Sequence, residues 1–442
     1  MDDAQIERWA AMLSAQGHEW ELYAADGTAA TIEVRGGEVE TFKSSRSQGV
    51  GIRIRRDGRI GFSFATSLAD EAVSNAIAKA VAAAEATEPN EFAAFAPAGG
   101  ALTPLDLSGA GPAGGTEARV EAALRIERAA MAADPRVKRV RKATYAESTG
   151  REWLWNVHGL RRSEQGTWFS ASVLAIAEAL GESQTGSEFA FGRSYAALDL
   201  DHVGREAGRR AASLLGGKGL PTGPRTIVFE NGAVADLLGV LAGSFLAESV
   251  QRNRSLLAGK LGEAVSAPTV TLVDDGLDVR GSAAGSYDGE GVPRQTTPLI
   301  SRGVLTGYLY DIETAARDHT RSTGNAGRGG FRGPPGPSTS NLRLEPGSGS
   351  LDELCAEAGE GFLVTDLLGV HTANAVSGDF SLGATGFAIR NGRVAEPVRG
   401  VAVADNLLAL LRRLSRVGGD FRYFGSIGTP SVIVPGVSVS GG

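Results

Sequence analysis

Apolar and polar side chains alternate with a period of two through five short segments near the start of the chain: residues 20–24, 31–35, 39–43, 50–55 and 59–64. Such alternation puts every second side chain on one face of an extended backbone, so Ile52/Ile54 and Phe62/Phe64 predict half-buried antiparallel strands. Asp26-Gly27, Gly36-Gly37 and Asp57-Gly58 are the expected turns. Helical spacing brackets the run. Ile6, Trp9, Ala10 and Leu13 share a face over residues 2–16, and Val73, Ile77 and Val81 share one over 68–86. The same order then returns. A helix over 116–133, capped by Thr116 and buried along Val120, Leu124 and Met131, precedes strand-like segments at 137–145, 151–156 and 167–176 and a helix over 199–215. This second helix–strands–helix run predicts a duplicated architecture, although no repeated sequence marks it. Residues 88–115 between the runs are rich in Ala, Pro and Gly and lose all periodicity, as a linker or surface excursion does.

Residues 216–223 (Gly-Gly-Lys-Gly-Leu-Pro-Thr-Gly) read as a junction, and all five tryptophans precede it, so the two halves need different cores. Beyond it come a strand at 225–230, an apolar helix at 232–246, short strands with glycine turns, helices at 351–358 and 403–417, and an alternating strand at 431–440. The expected fold is α+β in two domains: 1–215 with antiparallel sheet and helices, a linker at 216–222, and a β-rich domain at 223–442. The charge balance, 44 basic against 51 acidic residues, argues against a nucleic-acid partner, which needs a clustered positive footprint. One cysteine, Cys355, excludes an internal disulfide and suits a reducing cytoplasm. No leader pattern and no apolar run long enough for a membrane span is visible, so a soluble, cytoplasmic chain is expected.

A helical zinc site needs two ligands one turn apart with a carboxylate beside them. Here no His-Glu-x-x-x-His or His-Glu-x-x-His occurs, the pair His18-Glu19 is followed by Leu22 and Tyr23, and the five histidines stand singly. Yet four glycine motifs follow in order: Tyr287-Asp288-Gly289-Glu290-Gly291; Ile300-Ser301-Arg302-Gly303-Val304-Leu305; Ser322-Thr323-Gly324-Asn325-Ala326-Gly327 leading to Ser340-Asn341; and Gly378-Asp379-Phe380-Ser381 running on to Phe387. With Pro397-Val398 and a terminal Pro430-Ser431 strand, this order resembles the TldD/TldE (PmbA) family, long labelled "modulator of DNA gyrase". The resemblance is strong over 223–442 and architectural before it. It implies an α/β N-terminal domain and a β-rich, barrel-like C-terminal domain. It also implies a two-subunit peptidase in which TldD carries a helical His-Glu-x-x-x-His and a C-terminal cysteine as zinc ligands, while TldE lacks both.

Three features resemble the TldE side. The corresponding helix, about 231–246, holds Asp236 and no histidine; Phe424-Gly425-Ser426-Ile427-Gly428-Thr429-Pro430 has no cysteine; and Ser255-Leu256-Leu257-Ala258-Gly259-Lys260-Leu261-Gly262 looks like the TldE type. The resemblance therefore implies no cofactor on this chain, zinc in a TldD-like partner, and a peptide substrate in a shared chamber. A homodimeric, metal-independent scaffold and a stand-alone amide hydrolase are the rival readings.

Candidate cleft residues are Asp288, Glu290, Asn325, Asn341, His371 and Asp379. Asp274, Asp275, Asp278, Asp288 and Glu290 are also the residue types of a magnesium or calcium site, or simply turn carboxylates. His371 with Asp379 suits a general base or a hydrogen-bonded turn. Ser381 beside Asp379 lacks the Gly-x-Ser-x-Gly elbow of a nucleophile. Ser350 and Glu353 form a capping box that places Cys355 in a short helix as a small buried hydrophobe. Residues 328–337, Arg-Gly-Gly-Phe-Arg-Gly-Pro-Pro-Gly-Pro, are expected to form a mobile loop beside a cleft or subunit interface.

Overall fold

The computed structural model describes residues 1–179 and 181–441. The N-terminal half runs α1 (Asp3–Ser14), β1 (Glu19–Arg35), β2 (Glu38–Arg56), β3 (Arg59–Ala65), α2 (Asp70–Ala86), then α3 (Gly115–Ala132), β4 (Val137–Asn156), β5 (Arg161–Ala179), β6 (Glu182–Gly192) and α4 (Leu200–Ser213). Its strands form one antiparallel six-stranded sheet in the order β3-β2-β1-β4-β5-β6. The two runs thus join through the central β1–β4 pair, each covered by its own two helices on the same face. Ile6, Trp9, Val73 and Ile77 pack there on Leu22, Ile52 and Trp153. Ile126, Val203 and Ala207 pack on Ile32, Tyr145 and Val173.

The duplication extends to one shared packing device. A Cβ at Gly61 on β3 would lie 2.0 Å from the Ala80 carbonyl oxygen of α2, and one at Gly186 on β6 would lie 2.3 Å from that of Ala207 on α4. Helix backbone rests directly on strand backbone at both outer strands. Alanine at either position is expected to cost about 1–3 kcal/mol through overpacking, as chemical denaturation would measure.

The strands are longer than their alternation suggests. Asp26-Gly27, expected as a turn, lies inside β1, and the segments 20–24 and 31–35 are one strand; 39–43 and 50–55 likewise merge in β2, and 137–145 and 151–156 in β4. Each strand spans the gap between the two helix pairs, where polar residues are solvated while the ladder continues, so polarity imitates a turn. Asp26 there holds Arg46 at 2.8 Å, and Thr28 meets Thr149 across the ladder at 2.9 Å. Helix α3 starts at Gly115 after Gly114 (φ +109°) with no side-chain cap, so Thr116 is not its cap. Residues 88–115 carry no helix or strand until α3. They lie across the other face of the sheet, where Asn156 Nδ2 donates to Ala96 O at 2.7 Å.

The C-terminal half begins with β7 (Gly223–Phe229) and α5 (Asn231–Ala242), followed by α6 (Ala247–Gln251), β8 (Leu272–Asp275), β9 (Thr296–Ser301), β10 (Val304–Leu305), α7 (Ile312–Arg317), β11 (Ala326–Gly327), β12 (Gly336–Pro337) and β13 (Leu342–Leu344). It continues through α8 (Leu351–Ala358), β14 (Gly361–Leu368), β15 (Asp379–Arg390), β16 (Arg393–Asn406), α9 (Leu407–Arg413), β17 (Arg416–Val417), β18 (Arg422–Phe424), β19 (Ile427–Thr429) and β20 (Val432–Gly441). Strands β16-β15-β14-β7-β20 close into a barrel through the β16–β20 pairing, Val401↔Gly441 to Ala404↔Ser438. Its apolar filling is continuous with α5 and α9. The short strands form a second six-stranded sheet, β10-β9-β8-β13-β19-β18. The fold is α+β as expected, with two local corrections. The helix at 232–246 stops at Ala242 and ends in a 3₁₀ turn, Gly243–Phe245. The helix at 403–417 is only Leu407–Arg413, because Asn406, the last residue of β16, accepts from Leu408 N and Ala409 N and starts it there. No helix among the described residues is long and apolar enough to cross a membrane.

Candidate functional site

Two places invite chemistry. The first is α5 and the hairpin β18–β19, the segments that the resemblance pairs as a zinc site. They do pack together. Two glycines of α5 face the hairpin: a Cβ at Gly232 would touch the Phe424 ring at 3.4 Å, and one at Gly239 would touch Ile427 Cδ1 at 3.4 Å. The start of α5 is tied down by Ser431, whose hydroxyl accepts from Asn231 N at 3.0 Å and donates to Asp420 at 2.6 Å. Asp236 is the single carboxylate on the helix, pushed up by burial and by Asp366. An aromatic ring and an aliphatic chain thus lie between helix and hairpin, and neither α5 nor the segment 422–429 contains a histidine or a cysteine. This donor set does not fit zinc. Cys355 lies elsewhere, in a helix opened by the Ser350–Glu353 capping box, its thiol pushed up to about 11 by burial. Among the described residues, no group of three or more His, Cys, Asp and Glu side chains is placed to hold a metal.

The candidate cleft residues divide into two sets. Four are buried fasteners of the loops between β8 and β13: Asp288 (2% exposed), Glu290 (5%), Asn325 (2%) and Asn341 (0%). Asp288 accepts from the backbone N–H groups of Glu290, Val292 and Ala326. Glu290 accepts from Ile312 N at 2.9 Å. Asn325 donates to Asp274 at 2.7 Å, and Asn341 bridges the carbonyls of Asp275 and Asp278. Asp274, Asp275 and Asp278 are likewise satisfied by Ser340, Thr296, Arg280 and Tyr423. The other two, His371 and Asp379, are exposed. His371 sits in a 3₁₀ turn, Val370–Thr372, packed against α5, and Asp379 accepts from Asn406 Nδ2 at 2.9 Å. The six do not converge on one point.

Burial pushes both Asp288 and Glu290 up, Glu290 to about 8. A carboxyl raised in the folded state keeps its proton where the unfolded chain has lost it, so its stabilisation is complete below the usual carboxylate range and lost as pH climbs through the raised value. Stability is therefore expected to fall as pH rises from about 5 to about 8, with Glu290→Gln flattening the slope. Denaturation curves at the two pH values check this.

The second place is a cavity of about 630 Å³ between the helix-free face of the N-terminal sheet and the loops around 283–294 and 329–332. Strand register lays out its floor. Tyr23, Ala25 and Gly27 on β1 stand beside Leu154, Glu152 and Gly150 on β4, and Glu152 and Gly150 beside Glu164 and Gly166 on β5. The C-terminal half reaches in through the loop after β11. Phe331 sits over Gly49 and Gly51, where a Cβ would come within 2.3 Å of its ring and 2.5 Å of its carbonyl oxygen. The Arg328 side chain, only 3% exposed, pairs with Glu21 at 2.5 Å and lies over the Tyr23 ring. The segment 328–332, expected to be mobile, is thus anchored by two buried side chains. At the far wall Trp168 stacks on Phe191, Phe191 on Phe189, and Phe189 meets Phe424 edge-on. This aromatic run connects the cavity to the hairpin beneath α5.

Tyr23 donates to Glu152 Oε2 at 2.7 Å, and Glu164 accepts from Ser286 N at 2.9 Å. Burial first, then the Glu164 charge, push Glu152 up. Burial and both carboxylates push Tyr287 up as well. Glu152 is close enough to act on Tyr287 electrically, yet the Tyr287 hydroxyl meets no partner at hydrogen-bonding geometry among the described residues. Sequence reading passed over this cluster, because nothing local states that Glu152 and Glu164 are cross-strand partners.

Models of the PmbA/TldD metallopeptidases match the chain in three stretches: domain 1 over residues 20–84, the central domain over 115–215 and the C-terminal domain over 222–441. The chain belongs to the PmbA/TldD metallopeptidase family. It is 28% identical to metalloprotease PmbA of Escherichia coli O157:H7, over 95% of this chain and 92% of that one. A TldD homologue of Haemophilus influenzae is 27% identical over 68% of this chain and 64% of its own. The Thermotoga maritima chain described as a modulator of DNA gyrase superposes with TM-score 0.91 at 27% identity, covering 99% of this chain and all (100%) of that one. Thermococcus kodakarensis TldE shares the fold, with TM-score 0.89 at 23% identity over 99% of this chain and 100% of its own.

Proposed function

We propose that this PmbA/TldD-family chain is the TldE/PmbA-like, non-catalytic subunit of a heterodimeric zinc peptidase in the cytoplasm. A TldD-like partner carrying His-Glu-x-x-x-His supplies the metal, and this chain forms the opposite wall of a peptide chamber. The carrying observation is α5, whose glycines face Phe424 and Ile427 where a metal-binding member needs imidazole and thiolate. The full-length match to a PmbA, against a partial match to a TldD homologue, supports the same side of the family. In this reading residues 1–215 and 223–442 act as two domains joined by 216–222, and exposed His371 and Asp379 lie on the rim of the shared chamber, close to α5. The buried Asp288, Glu290, Asn325 and Asn341 shape the loops behind it. Expression alone and together with a TldD-like chain, followed by native mass and peptide turnover, tests the assignment. A stable heterodimer that cleaves peptides supports it. A self-dimer that ignores the partner, or chelator-resistant cleavage by the pure chain, sinks it.

A further inference from the structure

Neither outer strand of the N-terminal sheet covers its neighbour completely. β3 pairs with β2 only from Val50 to Arg56, which leaves residues 38–48 of β2 as a bare edge. Among the described residues, no hydrogen bond reaches the outer N–H and C=O groups of this stretch. It is longer than a whole average strand of about 5–6 residues. In the second run β6 starts its pairing at Phe169 and leaves the equivalent stretch of β5, residues 161–168, uncovered in the same way. There the chain fills the edge itself. Thr167 N donates to Leu107 O at 2.9 Å, and Gly109 N donates to the Thr167 hydroxyl at 2.8 Å. Of two matching edges, one is thus lined by an extended segment of the same chain and the other is open. Unpaired N–H and C=O groups in a row are a template for another strand.

The side chains of the open edge suit a second copy of this chain. Phe42 and Val39 stand opposite Ile32 and Val34 of β1. Those two are fully buried, whereas Phe42 and Val39 are 45% and 44% exposed, so apolar surface runs out to the edge and ends in water. Charge changes sign across Phe42: Glu38 and Glu40 precede it, and Lys43 and Arg46 follow it. Glu40 meets Arg35, and Arg46 meets Asp26 through Nε and Nη2, which leaves Arg46 Nη1 out of both bonds. We propose that two copies pair these edges antiparallel about a two-fold axis at Phe42, joining their sheets into one. Each acidic end then lies along the basic end of the other copy, and the two Phe42 rings meet at the centre. Charge also fixes the register. An axis near Glu40 sets acid against acid, and one near Ser45 sets base against base. The open edge and β6, whose Phe189 meets Phe424 of the hairpin, lie on opposite sides of the sheet. Self-pairing therefore leaves α5 and its hairpin free, and under the proposed role it joins two heterodimers. Strand pairing alone buries little surface, so the contact is weak, with Kd on the order of micromolar, and the heterodimer stays the unit at low concentration.

Sedimentation velocity of the full chain alone, from about 1 to about 100 μM, tests it. A concentration-dependent dimer is expected. F42K, E38K/E40K and K43E/R46Q change exposed side chains only, and each should weaken the dimer about tenfold or more. An equimolar mixture of E38K/E40K, whose edge is wholly basic, with K43E/R46Q, whose edge is acidic, should restore pairing, which misfolded variants could not do. A chain that stays monomeric at the highest concentration, a dimer indifferent to all three variants, or a mixture that fails to pair overturns the proposal. F42K should still join a TldD-like chain as readily as the unaltered chain does. If F42K alone loses that partner, the edge docks the partner instead and the proposal falls. If both ignore it while the unaltered chain still dimerises, the assigned role falls and self-pairing stands.

Discussion

Arg328→Ala is expected to destabilise the chain by about 3–5 kcal/mol, the cost of leaving a buried charge without its partner. The Arg328 and Glu21 side chains are 3% and 1% exposed, and both lie in the seam between the two halves. Glu21 would keep only Arg53, at 3.2 Å, while its Oε2 already lacks a partner among the described residues. The Gly289 carbonyl would lose its donor and Tyr23 the cation over its ring. Lysine should not rescue, since it lacks the planar fork that reaches carboxylate and carbonyl together. Chemical denaturation measures the loss, and a double-mutant cycle with Glu21→Gln should give a deficit smaller than the sum of the single losses. A loss below about 1 kcal/mol would mean that water reaches this pair.

Asp274→Ala should be comparably severe, about 3–5 kcal/mol, because it strands three donors in a place that water does not reach. Asp274 is 1% exposed and accepts from Asn325 Nδ2 at 2.7 Å, Ser340 N at 2.8 Å and the Ser340 hydroxyl. Burial pushes its carboxyl up, with the Ser340 and Asn325 bonds working against that shift. Asp274→Asn keeps one acceptor oxygen and should lose less, about 1–2 kcal/mol. Added magnesium or calcium should leave the midpoint of either denaturation curve unchanged. A large cation-dependent shift would instead revive the reading of these aspartates as a metal site.

These two residues illustrate what sequence carries and what it does not. Alternation, helical spacing and caps are local, so the two helix–strands–helix runs, the capping box at Ser350 and the β-rich second half were readable directly. Continuity of β1 through Asp26-Gly27 was not, because polarity there reflects a gap between helix pairs that only tertiary structure creates. The same limit applies to function. Asp288, Glu290, Asn325 and Asn341 drew attention as polar residues among glycines, yet glycines also surround buried loop fasteners, and these four are buried. Glu152 and Glu164 drew none. They lie in ordinary strand sequence, and their relation depends on the register of β4 on β5. Missing zinc ligands were legible residue by residue, while the Phe424 and Ile427 side chains that fill the space beneath α5 needed the packing of helix on hairpin.

The central claim is that this chain completes a zinc peptidase without holding the zinc. Metal analysis combined with native mass spectrometry on the chain alone, a TldD-like chain alone and the two co-expressed tests it most directly. The expected result is a heterodimer containing one zinc per pair, with none on this chain by itself and peptide turnover that chelation abolishes. Zinc bound stoichiometrically to this chain alone, or turnover by it without a partner, would contradict the account.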